Sequence, residues 1–123
     1  MSSAQFSQQI TFLHSQDLQA TRQFYEGALE LTLVRDQRSC LIFKVTHQAY
    51  LGFCEQIEPI SPGRRVILTL VSEEVDGWYQ KLKHKGVTIL GHPQHNPNFK
   101  IYHFFFNDPD GYEIEIQRFD QPL

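Results

Sequence analysis

The chain has little of what identifies secreted, membrane-spanning or nucleic-acid-binding proteins. Its 123 residues include only two cysteines, and they form neither a CxxC pair nor a zinc-finger pattern. No apolar run approaches the roughly 20 residues that cross a bilayer, and the first ten residues lack the charged start and apolar stretch of a signal peptide. The net charge of -3, without a stripe of Lys or Arg, argues against nucleic acid. We therefore expect a cytoplasmic protein with no membrane and no nucleic-acid partner.

The two cysteines are placed symmetrically about His47. If His47 lies at the centre of a hairpin, the sulfur atoms of Cys40 and Cys54 face each other on neighbouring strands. A reducing compartment would keep both as thiols. We therefore expect two small buried apolar residues rather than a redox or metal pair.

The composition is that of an ordered globular protein. Apolar residues make up 41% of the chain, with ten Phe and five Tyr, and charged residues make up 20%. A chain of this length buries about two thirds of its extended surface on folding, so it needs no disulfide or metal for stability. We expect one domain, residues 1–123.

The spacing of apolar residues in the first half of the chain predicts a strand and then a helix. Residues 10–15 alternate, Asp17 is a candidate N-cap, and apolar residues follow at helical spacing. Residues 31–35, 40–45 and 49–54 then have the β-branched and aromatic composition of short strands. The predicted order is β-α-β-β-β.

The second half predicts the same order of elements. Residues 66–71 resemble a strand, and Ser72 is the predicted cap of a helix whose apolar residues recur at positions i, i+3, i+4 and i+7. Lys83 and Lys85 suit the end of this helix, and Gly86 suits its termination. Three more strands are predicted at residues 87–90, 100–107 and 112–117.

These patterns predict an α+β fold of two tandem βαβββ modules. Module one covers residues 8–56 and module two covers residues 64–119, joined by a proline-containing linker at residues 55–64. Phe24-Tyr25 in one helix corresponds to Trp78-Tyr79 in the other, which indicates an internal duplication with a period of roughly 54 residues.

The segment from Phe106 to Gln117 is the most informative motif. Asp108-Pro109-Asp110-Gly111 predicts a tight reversal, because proline presets φ and glycine can adopt a positive φ. After the turn, Ile114 and Ile116 alternate with Glu113, Glu115 and Gln117. The strand therefore has one apolar face and one polar face.

A segment with two histidines is less informative. His92 and His95 lie in residues 92–98, which Pro93 and Pro97 interrupt. Proline prevents the regular backbone that would hold two imidazoles in a fixed geometry. We expect a polar surface loop that could act as a lid beside a pocket.

With Asp-Pro-Asp-Gly-Tyr-Glu-Ile-Glu near its end, Asp17-Leu18 and Phe24-Tyr25 near its start, and two βαβββ modules, the chain resembles the vicinal oxygen chelate superfamily. This group includes glyoxalase I, the bleomycin-resistance proteins and the extradiol dioxygenases. The resemblance covers residues 8 to 119. It implies an incomplete barrel with helices outside, a ligand cavity on the concave side, and a homodimer.

The resemblance also implies which strand faces line the pocket. The apolar faces, with Ile114 and Ile116, would pack under the helices, and the opposite faces would meet a ligand. We expect Glu115 and His14 to be catalytic if the protein is an enzyme. The expected substrate-binding residues are Phe12, Tyr50, His103, Phe105 and Glu113.

The metal positions of this superfamily are mostly lost. By resemblance they fall at Ile10, near Gly52, at Val66 or Ile67, and at Glu115, and only the glutamate can ligate a divalent cation. We therefore expect no cofactor and none of the usual metal-dependent chemistry. The alternative is a displaced site for Fe, Zn, Ni or Mn, formed by His14, His103 and Glu115.

Three functions follow from this sequence. The leading one is a protein of the bleomycin-resistance type that binds a small organic molecule in a concave pocket without the usual divalent metal. The second is a metal-dependent lyase, isomerase or dioxygenase that uses the displaced site. The third is a structural or regulatory dimer that catalyses no reaction. The sequence alone does not decide whether the protein is an enzyme.

Overall fold

The computed structural model describes residues 5–60 and 66–123 and has an α+β fold. The chain divides into two compact units, residues 1–60 and 61–123, and each contains a four-stranded sheet. The predicted order β-α-β-β-β is confirmed in both units. That the whole chain is a single domain stays a prediction, and the linker prediction falls partly on residues 61–65, outside the described residues.

The first unit begins with β1 (Gln9–Ser15) and a helix, α1 (Leu18–Arg22), that continues as a π-helix (Gln23–Ala28). Its other strands are β2 (Thr32–Asp36), β3 (Cys40–Thr46) and β4 (Ala49–Glu55). The strands lie in the order β1-β4-β3-β2, with β1 parallel to β4. The sheet is open.

The second unit repeats this topology. It contains β5 (Ile67–Val71), α2 (Val75–His84), β6 (Ile89–Asn96), β7 (Ile101–Asn107) and β8 (Glu113–Phe119). The strand order is β5-β8-β7-β6, with β5 parallel to β8. This sheet is also open. No helix in the described parts of the chain is long and apolar enough to cross a membrane.

The first helix starts as predicted but does not keep the 3.6-residue period. The Asp17 carboxylate accepts hydrogen bonds from the backbone N–H groups of Gln19 and Ala20, which caps the helix. The next turn is wider, and the Leu29 N–H donates to the carbonyl of Phe24. Tyr25 lies in this wider turn and is completely buried. Its ring packs against Phe43 and Phe53, with centroid distances of 5.9 and 4.4 Å.

The start of α2 differs from the prediction, whereas its end agrees. The N-cap residue is Glu74, and the Ser72 hydroxyl instead accepts a hydrogen bond from the Glu74 N–H in the turn before the helix. The helix ends at a left-handed Gly86, with φ of +83°. The N–H groups of Gly86 and Val87 donate to the carbonyls of Lys83 and Leu82, which closes a Schellman motif.

The predicted loop at residues 92–98 is wrong, because β6 extends as far as Asn96. The pairing of β6 with β7 is irregular between Leu90 and Gln94, and Gly91 has a φ of +79°. Pro93 lies within this bulge on an edge strand, where its missing N–H breaks no regular ladder. A strand can therefore contain the proline that the sequence pattern treats as a breaker.

The thiol state expected for the two cysteines is also wrong. Cys40 and Cys54 lie directly opposite on β3 and β4, with Cα atoms 4.1 Å apart, and form a disulfide. The Glu55 N–H donates to the Ser39 carbonyl beside them, so the cysteines occupy a non-hydrogen-bonded pair, where side chains are closest. Facing sulfurs were predicted, but bond formation depends on this register.

The turn before β8 matches the prediction. The buried Asp108 carboxylate accepts hydrogen bonds from the N–H groups of Asp110 and Tyr112, each 2.9 Å long. Gly111 has a φ of +91°. The turn fixes the register of β7 against β8, in which Phe105 pairs with Glu115.

The cores lie on the sheet faces that the sequence predicts. In the second unit, Tyr79 of α2 contacts Phe104 edge-on at a centroid distance of 5.5 Å. The buried apolar strand residues on these faces are Leu41, Phe43, Leu51 and Phe53 in the first unit and Leu68, Phe104, Phe106, Ile114 and Ile116 in the second. The opposite face of each sheet is therefore the candidate location of a site.

Candidate functional site

A cavity lies on the face of the second sheet that points away from α2. Its volume is about 720 Å³. All of its lining residues belong to the second unit, and they come from the four strands and the β6–β7 turn. They are Ile67, Asn96, Phe99, Ile101, His103, Phe105, Glu115, Gln117 and Phe119.

Glu115 is the centre of the polar cluster in this cavity. It is only 7% exposed. Its Oε1 accepts a 2.8 Å hydrogen bond from the Thr69 hydroxyl, and its Oε2 lies 2.6 Å from His103 Nδ1. With the Gln117 amide oriented so that its nitrogen faces the carboxylate, a third donor lies 3.0 Å from Oε2. Three donors therefore hold both carboxylate oxygens.

Strand pairing explains why these side chains meet. Thr69 on β5 is the parallel partner of Glu115 on β8, and His103 on β7 is the antiparallel partner of Gln117. Paired residues project from the same face of a sheet, and diagonal neighbours are within reach of long side chains. His103 and Glu115 are such a diagonal pair. The cluster therefore depends on three adjacent strands in one register.

Aromatic and aliphatic side chains form most of the remaining wall. The Phe105 ring meets the His103 ring at an interplanar angle of 66°, with centroids 5.0 Å apart. Phe99 lies in the β6–β7 turn and is 74% exposed. Among residues 5–60 and 66–123, no Lys or Arg lines the cavity. The site therefore combines apolar walls with one imidazole, one carboxylate and two amides.

Three of the predicted site residues come together here. Glu115, His103 and Phe105 line the cavity, whereas Glu113 lies on β8 outside its lining. The other three predicted residues lie in the first unit, on β1 and β4. There the His14 backbone pairs with Cys54, the half-exposed Phe12 lies over Gly52, and the Tyr50 hydroxyl accepts from Gln8 Nε2 at 3.2 Å.

Sequence reasoning missed several residues that line the cavity or hold its carboxylate. Thr69 was treated only as part of a strand, yet the parallel pairing of the first and last strands of a module would have aligned it with Glu115. Asn96 was assigned to a surface loop, and Phe99 was assigned to no element. Phe119 continues the alternation of Glu115 and Gln117 by one step, so a longer strand would have included it.

The residues at the metal positions implied by the resemblance do not fit a divalent cation. Ile10, Gly52 and Ile67 have no ligating side-chain atom, and both oxygens of Glu115 already accept hydrogen bonds. Across residues 5–60 and 66–123, no group of three or more His, Cys, Asp or Glu is arranged to hold a metal ion. The displaced combination of His14, His103 and Glu115 stays a prediction.

Two βαβββ units in one chain define a class of fold. Solved structures of other proteins have the same fold. A lactoylglutathione lyase from Agrobacterium tumefaciens superposes with a TM-score of 0.73 at 20% identity, over 89% of this chain and 90% of that one. A glyoxalase/bleomycin resistance protein/dioxygenase from Nocardioides gives a TM-score of 0.78 at 21% identity, over 97% and 86%. At these identities, the similarity shows the fold alone.

A third structure and a family model extend this comparison. An integron cassette protein from the mobile metagenome of the Halifax Harbour sewage outfall gives a TM-score of 0.78 at 18% identity, over 90% of this chain and 97% of that one. No curated protein matches the sequence significantly. The model of the Glyoxalase/Bleomycin resistance protein/Dioxygenase superfamily matches residues 8–116. The chain belongs to this superfamily, as its closing motif and duplicated modules predicted.

Proposed function

We propose that this protein binds a small organic molecule in the cavity of the second unit, without the divalent metal usual in its superfamily. One observation carries the proposal: an apolar cavity of about 720 Å³ contains a buried carboxylate that is hydrogen-bonded through both oxygens, one of them to an imidazole. Ligand sites typically have volumes of about 300–1,000 Å³, mostly apolar walls and a few fixed polar groups. This cavity has all three properties.

The polar cluster supports binding rather than a purely structural role. A carboxylate removed from water costs free energy unless it is paired and hydrogen-bonded. Thr69, His103 and Gln117 provide that compensation on a sheet face that could have been apolar. Such a preorganised group gives a bound molecule a fixed point of orientation, while the Phe rings supply contact area.

Phe99→Ala is the first test of this proposal. The exposed Phe99 ring lines the cavity but is not part of the core, so its removal should leave the fold intact. Ile57→Ala is a matched control, because Ile57 is 89% exposed and lies outside the cavity. Titration with Nile red, a neutral fluorescent probe, should show binding to the wild-type protein. The Phe99→Ala variant should bind about two- to tenfold more weakly, and the control should bind equally well.

Equal affinities in Phe99→Ala and the wild type would place the bound probe elsewhere. Absence of binding to the wild type would contradict the proposal. Native mass spectrometry of protein purified without chelator supplies an independent measurement, since a cavity of this kind should retain an organic molecule from the expression host.

Metal removal separates the proposal from the alternative of a displaced metal site. We expect dialysis against EDTA to leave the Nile red affinity unchanged, because no metal is needed to form the cluster. Stoichiometric Fe, Zn, Ni or Mn, lost together on His14→Ala and His103→Ala, would instead favour the metal-dependent lyase, isomerase or dioxygenase.

We also propose that the chain forms a homodimer. The support is its membership in a superfamily whose members are often dimeric ligand binders. Size-exclusion chromatography with light scattering should give about twice the 14.4 kDa mass of the chain. A monomer at micromolar concentration would contradict this part and would leave the ligand proposal intact.

A further inference from the structure

The second unit contains two pairs of histidine and carboxylate, and they differ in environment. His103 Nδ1 lies 2.6 Å from Glu115 Oε2, and these side chains are 15% and 10% exposed. His95 Nε2 lies 2.8 Å from Asp120 Oδ2, and these side chains are 50% and 38% exposed. His95 pairs with Tyr102 and therefore projects from the opposite face of the sheet. Only the His103 pair meets the cavity.

Little of the Glu115 carboxylate is open to a ligand, because its side chain is only 10% exposed. Its two oxygens accept from Thr69, His103 and Gln117, as described above. A bound molecule would compete with these three donors for the carboxylate. The group that Glu115 presents to the cavity is therefore the imidazole that it holds.

The geometry also assigns the role of the other ring nitrogen of His103. Nδ1 faces a carboxylate and so carries a hydrogen, and in the tautomer with that single ring hydrogen Nε2 is a hydrogen-bond acceptor. Within residues 5–60 and 66–123, Nε2 has no hydrogen-bond partner, and no buried side-chain N or O atom lacks one. Nε2 is therefore accessible, on a ring that lines the cavity.

The other lining residues determine which further groups a ligand of this cavity can have. Phe99, Phe105 and Phe119, with Ile67 and Ile101, provide apolar surface that suits a flat ring system. An anion would find no Lys or Arg among the described lining residues and would approach a carboxylate. An ammonium group would lose hydration without reaching Glu115 for a direct ion pair. A neutral ligand therefore fits best.

We propose that the cavity takes a neutral, flat aromatic molecule whose hydroxyl group donates a hydrogen bond to His103 Nε2. This inference rests on the proposed function and names the class of ligand. Glu115 acts as a positioning residue, because it fixes the tautomer of the imidazole. Asn96 adds a second polar point, since its Oδ1 accepts from the N–H groups of Asn98 and Phe99 and its amide nitrogen remains for an acceptor on the ligand.

Four naphthalene derivatives of similar size test this class. They are 2-naphthol, 2-methoxynaphthalene, 2-naphthoate and 2-naphthylmethylammonium, and their affinities can be measured by calorimetry or fluorescence at one pH. We expect 2-naphthol to bind about fivefold more tightly than its methyl ether, the effect of one neutral hydrogen bond. The anion and the cation should bind at least about tenfold more weakly than 2-naphthol.

Two variants and one control assign the preference to His103. In His103→Asn the ratio of naphthol to methyl ether affinity should fall to about one, because the acceptor is lost. In Glu115→Gln the amide can donate to Nδ1, which moves the ring hydrogen to Nε2, so the ratio should fall below one. His95→Asn, which alters the exposed pair, should keep the wild-type ratio. These ratios are insensitive to a general loss of stability.

The outcomes distinguish the two proposals. If none of the four compounds binds, both the cavity function and the ligand class are contradicted. If they bind without a preference for 2-naphthol, or with equal or higher affinity for the anion or cation, only the ligand class is wrong. A wild-type ratio in Glu115→Gln would contradict the positioning role of the carboxylate.

Discussion

The two sheets of this protein have the same topology but carry different chemistry at corresponding positions. In the first unit, Phe12 on β1 pairs with Gly52 on β4. In the second unit, Thr69 on β5 pairs with Glu115 on β8. A Cβ atom on Gly52 would overlap the Phe12 ring, which lies over the glycine. One position is therefore covered by an aromatic ring, and its counterpart holds a hydrogen-bonded carboxylate.

The neighbouring strand shows the same contrast. The antiparallel pair Cys40 and Cys54 joins β3 to β4 by a disulfide, whereas the corresponding pair on β7 and β8 is His103 and Gln117. A duplicated fold thus fixes where side chains meet but not which chemistry they perform. In this chain the first unit uses the shared positions for packing and covalent bonding, and the second uses them for a polar cluster.

Core substitutions should have the largest effect on this comparison. Phe53 and Phe104 are fully buried in the first and second unit, respectively. Phe53→Ala and Phe104→Ala should each lower the free energy of unfolding by about 3–5 kcal/mol. Urea denaturation followed by circular dichroism should show one transition that both variants shift, if the chain is a single domain. Two transitions, each sensitive to one variant, would contradict that prediction.

The disulfide should stabilise only the first unit. It closes a loop with a sequence separation of 14 residues. A disulfide that closes a loop of this length stabilises the folded state by about 2–4 kcal/mol. We expect reductant, or the double variant Cys40→Ala and Cys54→Ala, to lower the free energy of unfolding by this amount. Reductant should have no further effect on the double variant. Unchanged wild-type stability under reductant, with both thiols alkylated, would contradict the contribution of the bond.

Gly52→Ala tests whether the Phe12 ring fills the space above Gly52, whose counterpart in the second unit is Glu115. Overpacking should cost about 1–3 kcal/mol when Phe12 is present. In a Phe12→Ala background the same change should stabilise the strand by about 0.5–1 kcal/mol. Gly27→Ala is the control, because no atom lies within 4 Å of the added Cβ. Equal effects of Gly52→Ala in both backgrounds would contradict the contact.

The helix caps of the two units should differ by a smaller amount. Asp17 accepts two backbone hydrogen bonds at the start of α1, whereas Ser72 accepts one before α2, whose N-cap residue makes no side-chain bond. Asp17→Ala should cost about 1 kcal/mol, and Ser72→Ala should cost less. Thermal denaturation of both variants measures this order, and a larger loss for Ser72→Ala would reverse it.

The smallest expected effect concerns Tyr102, on the helix-covered side of the second sheet. Its hydroxyl donates a 2.6 Å hydrogen bond to Asp76, and this bond, with desolvation and the nearby carboxylate charge, raises the pKa of Tyr102. A raised folded-state pKa contributes stabilisation that is complete below the unfolded value of about 10. This stabilisation is lost as pH rises through the folded-state pKa. The stability advantage over Tyr102→Phe should therefore vanish in strongly alkaline solution. A constant difference from pH 8 to pH 12 would contradict it.

Local patterns predicted most of the fold. The Asp-Pro-Asp-Gly turn, the cap at Asp17 and the stop at Gly86 depend on residues close in sequence, and all three are present. Predictions failed where distant contacts outweigh local preference. The packing of Tyr25 accompanies a π-helix, and pairing with β7 keeps Pro93 within a strand.

The site was predicted less completely than the fold. Alternation along β8 placed Glu115 on the correct face, and alternation along β7 did the same for His103 and Phe105. Neither pattern revealed that His103 and Glu115 would bond to each other, because a diagonal contact depends on register and side-chain rotamer. Thr69 was missed for the same reason, since its partner lies 46 residues away in sequence.

The sequence by itself determined the α+β class, the duplicated order of elements, the turn before β8 and the superfamily, because each depends on short-range patterns of φ preference and polarity. Only the tertiary structure decided that the cysteines join, that Phe12 covers Gly52, and that Thr69, His103 and Gln117 share one carboxylate. The physical reason is that these contacts are made between strands. Their existence depends on a register that is set by the whole sheet.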